Sequence, residues 1–127
     1  MHPKLKLLYD KRDNILRELN MEYCKLLLEG KNEKIMSDYE IIDEKLPLID
    51  SYKNPQNLSV EDYSRYLIDN KEYLNGLMAF LNTAKDSFKK CTSLIEKMKK
   101  EDLNSEDKFE LSNQLASAKS CIDALIN

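Results

Sequence analysis

The stretch that decides the fold is EYLNGLMAFLNTAKDSF, residues 72–88. It places Asn75-Gly76 between apolar residues, which is the strongest short-range signal for a β-hairpin turn. The apolar residues nevertheless continue on both sides at alternating steps of four and three, as in a heptad repeat. Strands alternate every second residue, so a hairpin would break this register. The stretch therefore predicts one helix over residues 60–100. Because glycine is a weak helix former, any bend is expected at residues 74–78.

The apolar line along this helix, which we call the heptad seam, continues in both directions from the Asn-Gly pair. Its members are Tyr63, Leu67, Asn70, Leu74, Leu77, Leu81, Ala84, Phe88, Cys91, Ile95 and Met98. Asn70 is a polar residue at a position otherwise filled by apolar ones. It can fix the register or the oligomeric state, or it can face water where the bundle ends. The sequence leaves both interpretations open.

Residues 3–52 are expected to form an antiparallel hairpin of two helices. Gly30 can adopt the left-handed conformation that ends the first helix, and the short connection after it brings the second helix back. Pro47 lies within the second helix. It has no backbone N–H and crowds the preceding turn, so a kink or an early end is expected there.

Residues 53–58 read as a linker, because Asn54-Pro55 and Asn57 supply turn chemistry. Ser59 is the expected N-cap of the long helix. A last helix is predicted over residues 105–126, with either Asn104 or Ser105 as its cap.

Composition agrees with a single all-α domain, an elongated bundle of about four helices. The 127 residues are 42% hydrophobic and 34% charged, with only two glycines, which is typical of long helices with wide solvated faces. The net charge of −3 without a basic patch argues against nucleic acid as a partner. No run of ~18 apolar residues is present, so no membrane span is expected.

The sequence contains few residues in an arrangement that could form a catalytic site. The single histidine, His2, lies beside the first methionine, so no triad built on a fixed imidazole is expected. Two widely separated glycines cannot form a phosphate loop. Cys24, Cys91 and Cys121 fit neither a disulfide framework nor a metal site, and they favour a reducing, cytosolic environment. We therefore expect no enzyme activity, no cofactor and no metal.

A second line of large side chains runs beside the heptad seam at seven-residue steps. This flank stripe consists of Tyr66, Tyr73, Phe80 and Leu94, with Ser87 as its gap. The other helices can cover the stripe, or part of it can stay open for another chain, since tyrosine and phenylalanine are enriched in interface cores. The predicted helices differ in length, so the long helix is expected to outrun its partners.

These features favour a non-enzymatic module that binds another protein through helical surfaces. The simplest partner is a helical segment of that other protein. The size, the acidic charge and the long-helix layout look similar to those of small helical chaperones of bacterial secretion and flagellar export. That resemblance implies a cytosolic adaptor or chaperone. The alternative is a structural coiled-coil subunit of an obligate homo- or hetero-oligomer.

Overall fold

The computed structural model describes residues 3–51 and 59–126. In these residues the chain forms five α-helices and no strand, which confirms the predicted all-α bundle. The helices are α1 Pro3–Leu28, α2 Glu33–Ser51, α3 Val60–Asp69, α4 Lys71–Lys100 and α5 Ser105–Ile126. The predicted linker at 53–58 lies outside the described residues.

The central element of the bundle is α5, which packs against α1, α2 and α4. Its buried residues are Leu111, Ser112, Leu115, Ala116, Ala118, Ser120, Cys121, Ile122 and Ala124. A helix that is buried on most of its circumference must contact several neighbours. The alanines and serines let two of these neighbours approach closely, so the core lies around α5 and not along one seam.

Two buried serines of α5 fix the direction of α1. Ser120 Oγ donates to the carbonyl oxygen of Arg12 at 2.8 Å. Ser112 Oγ lies 2.8 Å from the carbonyl oxygen and 2.6 Å from Oδ1 of Asn20, and its single proton serves one of them at a time. These contacts pair the end of each helix with the start of the other, so α1 and α5 are antiparallel. Each buried hydroxyl also has a partner, as buried polar groups require.

The start of α5 is held by its cap and by α4. The backbone N–H of Asp107 donates to Oδ1 of Asn104 at 2.8 Å, so Asn104 is the cap, one of the two residues predicted. Lys97 Nζ of α4 donates to Oδ2 of Asp107 at 2.5 Å. Further from the turn, Ser87 Oγ of α4 donates to Ser117 Oγ of α5 at 3.3 Å. The two contacts follow opposite directions along the chain, so these helices are antiparallel as well.

The turn between α1 and α2 has the predicted form. Gly30 adopts a φ of +73°. The N–H of Gly30 donates to the carbonyl of Leu27 at 3.1 Å, and the N–H of Lys31 donates to the carbonyl of Leu26 at 2.8 Å. This pair of bonds is the Schellman motif. The tight turn reverses the chain, and α1 and α2 meet near it where Tyr23 bonds Asp38. Further from the turn the larger contacts of both helices are with α4 and α5, so the predicted hairpin is not a closely packed pair.

The predicted early end of α2 at Pro47 is wrong. The helix continues past the proline to Ser51. Leu46 and Ile49, on either side of Pro47, are buried in the core, and their burial offsets the hydrogen bond that the proline removes. A kink at this position stays a prediction.

The predicted single helix over residues 60–100 is also wrong, and the break lies at Asn70. Its backbone has φ −116° and ψ 19°. The backbone N–H and the side-chain Nδ2 of Asn70 both donate to the carbonyl of Tyr66, at 3.1 and 3.0 Å. The backbone bond is the ordinary i→i−4 bond of a helix, and the side-chain bond is an additional local bond of the kind that asparagine readily makes. At residues 74–78, where any bend was expected, α4 continues without interruption through Asn75-Gly76, and a bend there stays a prediction.

Gly76 has a packing role within α4. A Cβ atom added there would lie 2.0 Å from Cδ1 of Leu5 in α1. The first turns of α1 therefore contact α4 where a side chain is missing. The glycine that resembled a turn in the sequence is a point of close helix contact.

We expect the effect of Gly76→Ala on stability to depend on Leu5. In a Leu5→Ala background the substitution should raise the free energy of unfolding by up to about 1 kcal/mol, the helix-propensity gain over glycine. With Leu5 present, displacement of its side chain should cancel or reverse that gain. Denaturant melts of the double-mutant cycle measure the difference. Equal effects in both backgrounds would mean that Leu5 does not contact Gly76.

Candidate binding groove between α3 and α4

An apolar cavity of about 400 Å³ lies between α3 and α4 at one end of the bundle. Residues from the ends of α2 and α5 complete its wall. The lining consists of Ile49, Tyr63, Tyr66, Leu67, Leu74, Asn75, Leu77, Met78, Leu81 and Leu125. We call this feature the α3–α4 groove. Its size and its largely apolar wall with a few polar groups are typical of ligand sites.

The first turn of α3 is set by its N-cap. Ser59 has an extended backbone, and its Oγ accepts from the N–H of Asp62 at 3.2 Å, as predicted. Glu61 and Asp62 lie in the first turn, where carboxylates interact favourably with the helix dipole. The helix then runs to the break at Asn70, so its position over the groove is defined at both ends by polar side chains.

The packing of α3 on the rest of the protein is sparse. None of its residues is buried, and its main contacts are with α4. Tyr63 and Tyr66 are half-buried where they face the groove. Val60 and Ile68 are 84% and 75% exposed. A helix with so little buried apolar surface is held by little free energy and can move without unfolding the bundle.

The groove offers binding chemistry and no reactive group. Its wall is made of aliphatic and thioether side chains, and Tyr63, Tyr66 and Asn75 carry its side-chain polar atoms. Such a wall takes up apolar side chains and can hydrogen-bond one or two polar groups beside them. Met78 at the edge is flexible and polarizable, so it can adapt to differently shaped occupants.

The structure separates the residues of the predicted flank stripe. Tyr66 lines the groove, Tyr73 is half-buried on α4, and Leu94 packs against the core. Phe80 is 1% exposed, with its ring edge-to-face with Tyr9 at a centroid distance of 4.7 Å. The interpretation of Phe80 as an open interface residue is therefore corrected, because α1 covers it. The four residues do not form one open surface.

Several groove residues were assigned by sequence reasoning to the internal seam. Leu74, Leu77 and Leu81 have the spacing of buried residues, and that spacing cannot show which part of a seam lacks a partner helix. Which part of the seam lacks a partner helix is decided by the position of α3, and the break at Asn70 sets that position. Met78 lies beside the seam and carries no sequence signal of its own.

A buried polar cluster outside the groove links three helices. Tyr23 in α1 donates its hydroxyl to Oδ2 of Asp38 in α2 at 2.5 Å. Lys119 Nζ in α5 lies 3.5 Å from the same oxygen. Burial raises the pKa of Tyr23, and the hydrogen bond to Asp38 raises it further. The cluster satisfies buried polar groups and holds α1, α2 and α5 in register.

The cysteines behave as packing residues. All three are free thiols, and Cys91 and Cys121 are buried. Burial raises the pKa of Cys91 from 9.0 to about 12. Burial also raises the pKa of Cys121, although Arg12 acts in the opposite direction. Since the thiolate is the reactive form, neither buried thiol is suited to nucleophilic work near neutral pH.

The raised pKa of Cys91 predicts a loss of stability in alkaline solution. Above pH 9 the unfolded thiol ionises while the folded thiol keeps its proton. Ionisation therefore lowers the free energy of the unfolded state relative to that of the folded state. With a folded pKa of about 12, this amounts to about 2 to 3 kcal/mol by pH 11. Urea melts of wild type and Cys91→Ala at pH 7 and pH 11 test it. The difference between the two proteins at pH 7 measures the packing cost alone. If that difference is the same at pH 11, the prediction is wrong.

Within residues 3–51 and 59–126, no three His, Cys, Asp or Glu side chains lie together as metal ligands would. No helix in those ranges combines the length and the apolar character needed to cross a membrane.

The groove is therefore the feature of the described residues best suited to binding: an apolar cavity, a loosely packed helix over it, and a break at Asn70 that positions this helix. No family model matches the chain, and no curated protein or solved structure is significantly similar to it.

Proposed function

We propose that the protein is a non-enzymatic binding module that holds an amphipathic helix of a partner protein in the α3–α4 groove, as a small adaptor or chaperone. One observation carries the proposal: an apolar cavity of about 400 Å³ lies beneath a helix that buries none of its own residues. Apolar surface left in this state at one end of a well-packed bundle favours occupation by another protein.

The shape of the groove favours a helix as the bound element. Helix-in-groove recognition places apolar residues at three- and four-residue steps into a hydrophobic cleft between helices. The groove follows the axis of α4 from Leu74 to Leu81, which is two helical turns. Leu74 and Met78, one turn apart on the α4 wall, are side chains that would contact such a partner. The three free cysteines support a cytosolic setting.

Site-specific photo-crosslinking in cells tests the proposal. A photoreactive amino acid replaces Leu74 or Met78 in the groove, and Lys89, an exposed residue further along α4, is the matched control. We expect the same partner to be captured from both groove positions and not from Lys89. Mass spectrometry of the adduct should map the contact to an amphipathic helix. No adduct from the groove, or equal capture from Lys89, would contradict the proposal.

A second candidate is the oligomeric structural subunit, and one observation favours it. Leu7, Met21 and Leu28 lie at multiples of seven residues on α1 and are 68%, 71% and 70% exposed, with Asn14 between them on the same line. An exposed line of this spacing can pair with a second helix. If it does, Met21→Lys should convert a dimer to a monomer in sedimentation velocity. A wild-type protein that is monomeric at high micromolar concentration would exclude this role.

A further inference from the structure

We propose that α3 is a removable cover of the groove, which leaves when a partner helix binds and then continues α4 as one helix through Asn70. The partner is an amphipathic helix with the side-chain pattern of α3 itself, aromatic or aliphatic residues at positions i, i+3 and i+4. The identity of the occupant rests on the proposed function. The movement of α3 does not, and it can be measured without any partner.

The sequence register supports the continuous helix. The heptad seam passes from Leu67 through Asn70 to Leu74 without a change of step. Asn70, which separates α3 from α4, has φ −116° and ψ 19°. Rotating these two angles to about −63° and −42° would restore an α-helix. The chain therefore has two arrangements that differ mainly at one hinge residue.

The groove itself indicates what it accepts. Tyr63, Tyr66 and Leu67 form the α3 wall of the groove, and they lie at i, i+3 and i+4 of one helix. These residues cover the groove without filling it, since about 400 Å³ stays empty beneath them. A partner helix with the same pattern and a closer fit would make the dispersion contacts that α3 leaves unmade. That difference in contact is what allows a partner to replace α3.

The closed arrangement should dominate in the free protein. Opening exposes the half-buried rings of Tyr63 and Tyr66 to water, which is unfavourable. It also removes the second hydrogen bond that the Asn70 side chain donates to the carbonyl of Tyr66. A partner shifts the population by binding only the open arrangement. Asn70 thus sets the balance between the two states.

Distance measurements by pulsed electron spin resonance test the movement in the full chain. Spin labels attached through a non-natural ketone amino acid at positions 61 and 89 leave the native cysteines unchanged. Both sites are exposed. One continuous helix separates these sites by about 42 Å, at ~1.5 Å per residue, and any bend at Asn70 shortens this distance. We expect the wild type to show mainly the shorter distance, and Asn70→Leu to shift most of the population to the longer one.

Asn82→Leu is the matched control. It makes the same chemical change at an exposed position inside α4 and should leave the distances unchanged. Asn70→Ala is the second hinge variant, used if the leucine variant loses its helical circular dichroism. If both folded hinge variants keep the wild-type distance, the movement of α3 is refuted, whatever the crosslinking experiment finds.

The occupant is tested with a synthetic peptide of residues 59–70 of this chain as the probe. Fluorescence anisotropy should show it binding Asn70→Leu at least tenfold more tightly than wild type, because the variant uncovers the groove. The same peptide with alanine in place of Tyr63, Tyr66 and Leu67 should not bind. Equal affinity for both proteins, or binding of the alanine peptide, would overturn the proposed partner pattern.

Discussion

Phe80→Ala is expected to lower the free energy of unfolding by about 3–5 kcal/mol, the range for removing a buried phenylalanine. The ring is 1% exposed and lies edge-to-face with Tyr9. The guanidinium of Arg12 stands 5.4 Å from its centroid. Removing the ring therefore leaves a cavity between α1 and α4, and the side chains of Tyr9 and Arg12 lose their contact with it. Urea denaturation followed by circular dichroism measures the loss.

Tyr66→Ala is the control for this experiment. Tyr66 also belongs to the flank stripe, and its half-buried side chain lies on the groove wall. Its loss should cost about 1 kcal/mol or less, as for substitutions outside a packed core. A Phe80→Ala variant as stable as Tyr66→Ala would show that α1 does not cover Phe80 in solution.

Leu81→Ala should destabilise the protein by about 2–5 kcal/mol, and Leu77→Ala by much less. The same chemical change is made one turn apart on the same helix. Leu81 also reaches the groove, but it is 1% exposed, so packed side chains surround most of it and alanine leaves a void among them. Leu77 is half-buried and borders a cavity that is already present, so alanine only enlarges it. Denaturant melts of the two variants measure both losses.

A comparison of these two losses tests whether the cavity exists in solution. If Leu77→Ala costs as much as Leu81→Ala, the groove is closed and packed in the free protein. If Leu81→Ala costs less than about 1 kcal/mol, the core does not extend to this end of α4. Either result would contradict the site described above.

Features encoded by neighbouring residues were predictable from the sequence. The cap at Ser59 and the turn at Gly30 each depend on a few side chains and backbone bonds within one turn of helix. The step of the apolar residues also excluded a hairpin at Asn75-Gly76. In each case the interaction that decides the structure joins residues close together in the chain, so the local sequence is sufficient to predict it.

Features that depend on distant contacts were not predictable. A polar residue in a heptad seam is compatible with a continuous helix, so the pattern could not place the break at Asn70. Phe80 and Tyr66 lie on the same line of the sequence, yet α1 covers only Phe80. The central position of α5 likewise depends on which helices gather around its alanines and serines. Each outcome is decided by the arrangement of whole helices.

The central position of α5 has a consequence for protein synthesis. The two largest interfaces of the bundle both include α5, the last of the five described helices along the chain, and the α1–α5 contacts join residues about 90 to 110 positions apart. Such long-range contacts form slowly. Until α5 has left the ribosome, most of the apolar face of α1 and much of that of α4 stay uncovered, and exposed faces of this kind promote aggregation. A ribosome stalled before Ser105 should therefore carry a chain that remains protease-sensitive, and release of α5 should make the whole bundle resistant.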